Sequence, residues 1–358
     1  MRFLLRCKPQ TIKPPTGKKV AVIGAGPAGL GVAAQLRCFG HEVHVYDALP
    51  EPSGLLLFGI PAWRVNKQDI RLGVKELVDI GVKFHTSTFV YCGDKRPSKE
   101  EDLAIALAKE FVDLNEIISQ YDATVIATGT WKEREKGVPG EKLPGVYGAL
   151  EFLFRIYLYE LGYAPKEQMF PVGSKVLVVG GGLTAIDAAV ESQIYGAKKV
   201  VVAYRRTLNE APAGKTEIER NLLARGIEFR ELIDPIRFEG KDRLEKVVFI
   251  KMRLGAPDKS GRPHPEPVPG SEFEEEYDTV LLAIGEIPTP PFASGCAGIQ
   301  LTRWGTIDVD NNFRTTRKGV FAVGDVAHGP SLIGKALGAG VRAAPIINDY
   351  LEGKLNWR

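Results

Sequence analysis

The chain has 358 residues, 44% of them hydrophobic and 25% charged, which is usual for a globular protein with a sizeable core. At about 150 residues per domain this length predicts roughly two domains. The formal net charge of +3 excludes a general attraction to nucleic acid or anionic membranes, so any phosphate binding must come from local sites.

The first elements in the chain form a β–loop–α–β unit. Residues 20–23 are a short apolar run typical of a buried parallel strand, residues 30–39 are helix-like, and residues 42–46 form a second strand. Gly24-x-Gly26-x-x-Gly29 lies between the first strand and the helix, and Asp47 ends the second strand. A tight turn, a close backbone approach to a pyrophosphate and an acid for ribose hydroxyls are what a dinucleotide-binding fingerprint requires. The unit therefore predicts a dinucleotide site.

A charged segment, residues 94–113, follows further along the chain. Leu103, Ala106 and Leu107 are spaced for one face of an amphipathic helix. The pattern predicts a surface helix, with residues 94–110 as a candidate docking surface.

The same arrangement returns 156 residues after the first glycine. A strand at 175–179, the turn Gly180-x-Gly182-x-x-Ala185, a helix at 186–195 and a strand at 199–204 predict a second dinucleotide site. The last strand ends in Arg205 and Arg206, which can pair with a 2′-phosphate and favour NADPH over NADH. A solvated basic strand end would give the same pattern.

Three further segments end in related signatures. Strand 123–126 runs into Ala127-Thr128-Gly129, and strand 279–283 runs into Ile284-Gly285. Residues 255–276 are rich in proline, glycine and charge and predict a hairpin loop or a surface excursion between residues 246–253 and 277–283. Near the end, Gly324-Asp325 follows an apolar strand and precedes an Ala/Gly-rich helix from about residue 332 to 350.

Four scattered cysteines, Cys7, Cys38, Cys92 and Cys296, form no CxxC and no cluster with histidine. This argues against a structural zinc site, a cysteine-ligated iron–sulfur cluster and a CxxC redox pair. Scattered thiols suit a reducing compartment, and the sequence shows neither a signal-peptide core nor an 18-residue apolar run. The expectation is a soluble, cytoplasmic protein without membrane insertion or metal ligands.

Together these motifs resemble flavoproteins that bind FAD first and NAD(P) second, and more narrowly the small subunit of glutamate synthase. Its GGLL-x-x-GIP segment is matched by Ser53-Gly54-Leu55-Leu56-Leu57-Phe58-Gly59-Ile60-Pro61. Further matches are Pro139-Gly140-Glu141, the run from Gly180 through Ala189, Tyr204-Arg205-Arg206, and Gly329-Pro330. The predicted fold class is α/β, with two Rossmann-like dinucleotide-binding domains and the NAD(P) domain inserted into the FAD domain. The expected segments are a leader at 1–17, the FAD domain at 18–131 and 285–358, and the NAD(P) domain at 132–284.

The resemblance implies residues for each cofactor site and no catalytic side chain, because the flavin performs the chemistry. The implied FAD residues are Gly24, Ala25, Gly26, Pro27, Ala28, Gly29, Asp47, Gly54, Leu55, Arg64, Val90, Ala127, Thr128, Gly129, Gly324, Asp325, Leu332 and Ile333. The implied NAD(P) residues are Gly180, Gly182, Leu183, Thr184, Ala185, Arg205, Arg206, Ile284 and Gly285. The five histidines are expected to be structural or solvated, with His328 the one nearest the flavin.

The sequence departs from the family in three residues and in one domain. The family has Gly where Ser53 stands, Asn at Leu183 and usually Thr at Leu332. Its N-terminal domain with iron–sulfur clusters has no counterpart in the roughly 19 residues before the first strand.

The implied function is an FAD-dependent NAD(P)H oxidoreductase that acts as the electron-transfer subunit of a hetero-oligomer. It would exchange hydride between NAD(P)(H) and FAD, and electrons with an iron–sulfur subunit or a ferredoxin. The alternatives are a stand-alone NAD(P)H:ferredoxin or acceptor oxidoreductase, and the small-subunit role in glutamate synthase. A module that only binds FAD or senses NAD(P)H is disfavoured by the intact glycines, and a thioredoxin-reductase-like role by the missing CxxC.

Overall fold

The computed structural model describes residues 2–3, 7–93, 96, 103–257, 261–290 and 292–357. The chain divides into two units. The first unit comprises Met1–Leu57, Ala62–Lys132 and Glu286–Arg358, and the second comprises Phe58–Pro61 and Glu133–Gly285.

The helices and strands fall into three consecutive segments of the chain. The first segment holds strands β1 (Lys19–Ile23), β2 (Glu42–Tyr46), β3 (Lys83–His85), β4 (Thr88–Tyr91), β5 (Glu110–Asp113), β6 (Ala123–Ile126) and β7 (Lys132–Glu133), with helices α1 (Pro27–Cys38), α2 (Leu55–Phe58), α3 (Lys67–Asp79) and α4 (Leu114–Gln120). The middle segment holds β8 (Val146–Gly148), β9 (Lys175–Val179), β10 (Lys199–Tyr204), β11 (Glu228–Glu231), β12 (Ile233–Glu239), β13 (Lys246–Pro257), β14 (Pro263–Pro267), β15 (Phe273–Glu276) and β16 (Thr279–Leu282), with α5 (Ala149–Glu160), α6 (Leu183–Ile194) and α7 (Lys215–Asn221). The last segment holds β17 (Glu286–Ile287), β18 (Val320–Ala322), α8 (Asp325–His328) and α9 (Ile333–Leu351).

The first unit is built on a five-stranded parallel sheet in the order β18-β6-β1-β2-β3. β1 is central, and its Ile23 is aligned with Tyr46 of β2 and Ile126 of β6. The carboxyl ends of these three strands therefore meet at one edge of the sheet, which is where ligands bind in such folds.

Two helices of the first unit, α1 and α9, pack closely because small residues line their contact. A Cβ added at Gly340 would lie 2.1 Å from the carbonyl oxygen of Ala28, so any side chain there would force the helices apart. The Ala/Gly-rich composition of the last helix thus serves its packing against α1.

The second unit repeats this plan and adds an antiparallel layer. Its parallel sheet has the order β11-β10-β9-β16-β8, with α6 following β9. β12, β13 and β14 form an antiparallel sheet in which β15 also pairs with β13. The predicted α/β class with two Rossmann-like folds is confirmed, as are the strands predicted at the two glycine turns.

Two predicted elements are wrong. Residues 94, 95 and 97–102 lie outside the described residues, and the rest of the predicted amphipathic helix is a short 3₁₀ turn (Leu103–Leu107) followed by β5. β5 is a strand because its backbone pairs in parallel with β4 and the Phe111 ring lies 6.1 Å from that of Phe89. The segment 255–276, predicted as a hairpin loop or surface excursion without strands of its own, contains β14 and β15, and the alternating prolines of β14 suit its edge position.

Two further expectations need correction. The segment 58–61 groups with the second unit rather than the FAD domain, since the Phe58 ring lies 6.3 Å from Phe154 and 5.8 Å from Tyr163.

The cysteines are not scattered thiols, because they pair as disulfides Cys7–Cys38 and Cys92–Cys296. Spacing along the chain could not show that these sulfurs meet in space.

Within the part of the chain that the structure describes, no helix is long and apolar enough to cross a membrane.

Candidate functional site

The first glycine turn has the geometry that a pyrophosphate cradle needs. Gly24 has φ of +101°, and a Cβ there would lie 2.4 Å from the carbonyl oxygen of Ala127. A Cβ at Gly29 would lie 1.9 Å from the carbonyl oxygen of Gly24, so this glycine lets helix α1 pack on the turn. By contrast, a Cβ at Gly26 would meet nothing within 4 Å, which leaves the space that a ligand's pyrophosphate can occupy.

This turn opens onto a cavity of about 120 Å³ in the first unit. The predicted residues that line it are Gly24, Gly26, Pro27, Ala28, Asp47, Gly54, Leu55, Val90, Ala127, Thr128, Gly129 and Asp325. They come from positions 24 to 325 of the sequence, and the fold brings them to one place. The open space at Gly26 and the carboxylates of Asp47 and Asp325 fit the pyrophosphate and the hydroxyl groups of FAD.

Asp47 joins the end of β2 to the glycine turn. Its carboxylate accepts hydrogen bonds from the backbone N–H groups of Ala25 (2.5 Å) and Leu49 (2.8 Å). Burial raises its pKa to about 6, although both N–H donors favour the ionised form. The side chain lines the cavity and can accept a ribose hydroxyl when ionised.

Asp325 begins α8 and faces the same cavity. The Ser331 hydroxyl donates to one of its carboxylate oxygens (2.6 Å) and the Ser331 backbone N–H to the other (3.1 Å). Burial raises the pKa of Asp325, and the hydrogen bonds from Ser331 oppose that rise. The preceding Gly324 is required because a Cβ there would lie 2.6 Å from that of Ala28.

The loop after β6 is held by residues that the sequence patterns did not single out. Thr128 donates its hydroxyl proton to the carbonyl oxygen of Thr289 (2.9 Å), and the indole N–H of Trp131 donates to the carbonyl oxygen of Thr128 (2.9 Å). Trp131 and Thr289 both line the cavity, together with Ile23, Tyr46, Ala48, Thr88, Phe89, Ala104, Thr130 and Ala336. Trp131 directly follows Ala127-Thr128-Gly129-Thr130, a proximity that could have singled it out.

Six predicted FAD residues do not line the cavity: Ala25, Gly29, Arg64, Gly324, Leu332 and Ile333. Ala25 and Gly29 shape the first glycine turn, and Gly324 shapes the turn before α8. The Arg64 guanidinium lies 4.6 Å from the centre of the Trp63 ring. Leu332 is the N-cap of α9 and provides no side-chain cap, and the roles of Arg64, Leu332 and Ile333 stay predictions.

Ser53, where the family has glycine, occupies a strained position. Its φ is +126°, a conformation that favours glycine, and the side chain is fully buried. Among the described residues, its hydroxyl has no hydrogen-bond partner.

The glycine turn of the second unit resembles the first, with close contacts at its first and third positions and open space at the second. Gly180 has φ of +147°, and a Cβ there would lie 2.2 Å from the carbonyl oxygen of Ala283. A Cβ at Gly182 would meet nothing within 4 Å, and Ala185 is fully buried where α6 packs on the sheet. These residues fit a second dinucleotide, with Leu183 and Thr184 in the first turn of α6.

The other predicted NAD(P) residues lie at the carboxyl ends of β16 and β10. Ile284 and Gly285 directly follow Ala283, which contacts the Gly180 turn, and the backbone N–H of Arg134 donates to the carbonyl oxygen of Gly285 (3.0 Å). Arg205 is exposed after β10, whereas Arg206 is buried.

Comparisons with known proteins point in one direction. The family described as pyridine nucleotide-disulphide oxidoreductase matches residues 18–340. The chain is 35% identical over 343 residues to the glutamate synthase [NADPH] small chain of Halomonas elongata, covering 94% of this chain and 69% of that protein. It is also 35% identical over 345 residues to the NADP(+)-dependent formate dehydrogenase subunit beta of Moorella thermoacetica, covering 94% of this chain and 44% of that one.

A solved structure has a similar fold. Mycobacterium tuberculosis FprA in complex with NADPH aligns with a TM-score of 0.71 at 20% identity, covering 97% of this chain and 87% of that one. At this level of identity the likeness shows the fold alone.

Proposed function

Because the chain belongs to the pyridine nucleotide-disulphide oxidoreductase family, we propose that it carries electrons between NAD(P)(H) and an iron–sulfur partner as one subunit of a larger assembly. Membership of the family makes the chain an oxidoreductase, with FAD and NAD(P)(H) as its cofactors. The observation that supports the proposal is that the chain has two glycine turns with the geometry of dinucleotide sites, while its cysteines are all paired in disulfides.

The two turns support the hydride-transfer half of the proposal. Bound FAD accepts a hydride and releases electrons singly or in pairs. This chain supplies binding and orientation: Gly26 and α1 would hold the FAD pyrophosphate, Asp47 the adenosine ribose, and Gly182 with α6 the pyridine nucleotide. No protein acid, base or nucleophile is needed for that transfer.

The cysteines support the partner half of the proposal. All four cysteines of the sequence are bound in Cys7–Cys38 and Cys92–Cys296, which leaves no thiolate to ligate an iron–sulfur cluster. The relatives described as a glutamate synthase small chain and a formate dehydrogenase subunit beta are, by name, parts of assemblies. Cluster ligands for a one-electron relay would therefore lie outside these 358 residues, and the proposal places them on a partner subunit.

A cytoplasmic location is part of the same proposal. It is supported by the supply of NAD(P)H in that compartment. Free thiols no longer support it, because the cysteines are paired in two disulfides.

The hydride half is tested by adding NADPH or NADH to the FAD-loaded protein under argon. We expect the visible flavin absorbance to bleach within the mixing time for at least one nucleotide. A flavin that stays yellow with both nucleotides contradicts the proposal.

The partner half is tested on protein purified from its native source under argon. We expect a second, cluster-bearing chain to co-purify in fixed stoichiometry, with iron and acid-labile sulfide that accept electrons after NAD(P)H is added. An iron-free homogeneous chain that passes electrons from NAD(P)H directly to a small acceptor at full rate would instead support the stand-alone enzyme.

A further inference from the structure

A long loop of the first unit, residues 292–319, lies between β17 and β18. Within these residues, all of which the structure describes, a 3₁₀ turn (Cys296–Gly298) is the one helical element, and isolated bridges take the place of strands. Connections of more than about 15 residues without regular structure are uncommon in compact domains and are usually functional. Neither glycine turn lies in this loop, so its length calls for another explanation.

Two contacts hold the 292–319 loop against the wall of the cavity proposed for FAD. Cys296 is bonded to Cys92, which lies two residues after Val90, a residue that lines the cavity. The backbone N–H of Ile307 donates to the carbonyl oxygen of Val326 (2.9 Å) in α8, the helix that begins at the cavity. A protein bound to this loop would therefore lie beside the proposed FAD site.

Trp304 lies at the tip of a hairpin within this loop, residues 301–307. Its side chain is 71% exposed, more than any other large apolar side chain that the structure describes. Leu301 and Ile307 form an antiparallel bridge at the base of the hairpin. Between them, the backbone N–H of Thr302 donates to the carbonyl oxygen of Thr306 (2.8 Å), and the two threonine hydroxyls lie 2.7 Å apart. The 301–307 hairpin is thus ordered by its own hydrogen bonds and presents an indole ring to solvent.

An exposed indole on an ordered hairpin has the properties of an anchor for protein binding. Tryptophan and arginine are enriched among the residues that dominate the binding energy of protein interfaces. The Arg303 guanidinium lies 4.6 Å from the centre of the Trp304 ring, so the tip offers both residue types together. Because the hairpin is already ordered, little conformational entropy is lost when a partner covers it.

The 292–319 loop also carries an excess of positive charge. Its charged residues are Arg303, Arg314, Arg317, Lys318, Asp308 and Asp310. Arg314 pairs with Asp310 (2.6 Å). The side chains of Arg303, Arg317 and Lys318 form no ion pair within the described part of the chain. The unpaired charge that this loop offers to a partner is therefore mainly positive.

This charge distinguishes between two possible occupants of the hairpin. In a symmetric dimer the same surface patch of each copy meets the other, so the cations of this loop would face each other. Like charges brought together at an interface disfavour association, whereas an acidic surface would be attracted to the loop and guided to it. The loop therefore fits an acidic partner better than a second copy of this chain.

We infer that the 301–307 hairpin, with Trp304 as its anchor, is the docking surface for an acidic iron–sulfur protein that exchanges electrons with this chain. Trp304 would fill an apolar pocket of the partner, and Arg303 would pair with a carboxylate beside it. Two clusters oxidised by one electron each supply the two electrons that, with one proton, convert NAD(P)⁺ into NAD(P)H. This inference rests on the proposed function and adds the surface at which the partner binds.

The test uses the FAD-loaded protein, NADP⁺ or NAD⁺, and a purified, pre-reduced acidic ferredoxin of the [4Fe–4S] type under argon. The rate of NAD(P)H formation is followed by absorbance at increasing ferredoxin concentration. We expect the half-saturating ferredoxin concentration of the native protein to rise with ionic strength, because salt screens the charges of the interface. Trp304→Ala and Arg303→Glu should each raise that concentration at least about tenfold. Neither variant should slow the bleaching of the flavin by NAD(P)H, since both residues lie outside the glycine turns.

Two matched controls lie away from the loop. Leu72→Ala removes another exposed apolar side chain, 52% exposed on α3. Arg220→Glu reverses the charge of an exposed arginine on α7 that forms no ion pair among the described residues. Both variants should keep the half-saturating ferredoxin concentration of the native protein.

Hydroxyl-radical footprinting with mass spectrometry gives a second readout that does not depend on activity. Trp304 should be oxidised in the free protein and protected when the ferredoxin is added. Leu72 should be equally reactive in both samples.

The outcomes separate this inference from the proposed function. The inference is overturned if Trp304→Ala and Arg303→Glu both behave as the native protein, or if the ferredoxin leaves Trp304 unprotected. It is also overturned if the native protein forms no NAD(P)H from the ferredoxin while NAD(P)H still bleaches its flavin, or if the native protein self-associates and Trp304→Ala abolishes that association. In each of these cases hydride transfer between NAD(P)H and the flavin stands. If neither NADPH nor NADH bleaches the flavin, the proposed function itself fails.

Discussion

The carboxylate of Asp47 accepts a hydrogen bond from the backbone N–H of Ala25 over 2.5 Å, and so connects the end of β2 to the first glycine turn. The same carboxylate is buried and lines the cavity proposed for FAD. The Asp47 carboxylate thus has two roles: it holds the glycine turn through Ala25, and it provides the charge that a ribose hydroxyl of FAD would contact.

This relationship predicts that FAD binding depends on pH. Burial raises the pKa of Asp47 to about 6, and only the ionised form leaves both oxygens as acceptors. FAD affinity for the apoprotein should therefore fall on acidification, by about tenfold at about one pH unit below that pKa. Fluorescence titration of the apoprotein with FAD, from about pH 5 to about pH 8, measures the effect.

The stability of the apoprotein should change in the opposite direction. The folded pKa of Asp47 lies above its ordinary value of 3.8, so ionisation of this group destabilises the fold as pH rises from 3.8 to about 6. Acidification through that window adds stability from this residue while it weakens FAD binding. Asp47→Asn should remove both dependences, and an unchanged pH profile of FAD binding in that variant would contradict the role of Asp47.

Ser53→Gly should stabilise the apoprotein. The substitution relieves a φ of +126° and removes a buried hydroxyl that has no partner among the described residues. We expect a gain of about 1 kcal/mol in the free energy of unfolding, measured by urea denaturation. The control is Ser53→Ala, which removes the hydroxyl but keeps the Cβ, so it should gain less than Ser53→Gly. The reverse order of the two variants would show that the backbone is not strained there.

Gly26→Ala and Gly182→Ala serve as controls for each other. Each added methyl group would meet no protein atom within 4 Å, so the folds should persist, but it would fill the space left for a pyrophosphate. Gly26→Ala should weaken FAD binding by about 1–3 kcal/mol, or roughly 5- to 150-fold, and leave binding of the pyridine nucleotide intact. Gly182→Ala should retain FAD and weaken binding of the intact pyridine nucleotide. Loss of both ligands in either variant would contradict separate sites.

Removing the Cys92–Cys296 disulfide should destabilise the chain more than removing Cys7–Cys38. The first closes a loop over 204 residues and the second over 31, and the chain-entropy estimate gives losses of about 5 and about 4 kcal/mol. The double variants Cys92→Ser/Cys296→Ser and Cys7→Ser/Cys38→Ser are compared by urea denaturation, with mass spectrometry after alkylation to count free thiols. Four alkylated cysteines in native, unreduced protein would show that the disulfides do not form.

Sequence alone determined the local elements around both glycine turns, because they depend on short-range requirements. Gly24 and Gly180 are required by the positive φ of the backbone at the turns. The apolar runs after residues 18 and 174 are required because each parallel strand is buried. Such signals lie within about one βαβ unit, so reading the chain in order recovers them.

Only the tertiary structure decided what depends on distant partners. β5 is a strand because β4 lies beside it, and the cysteines are disulfides because positions 92 and 296 meet in space. Trp131 and Thr289 reach the cavity through a contact between residues 158 positions apart, which no local pattern encodes. Arg206 also depends on a distant partner. In the sequence it is one of two adjacent arginines, but in the fold its guanidinium donates a hydrogen bond to the carbonyl oxygen of Pro263.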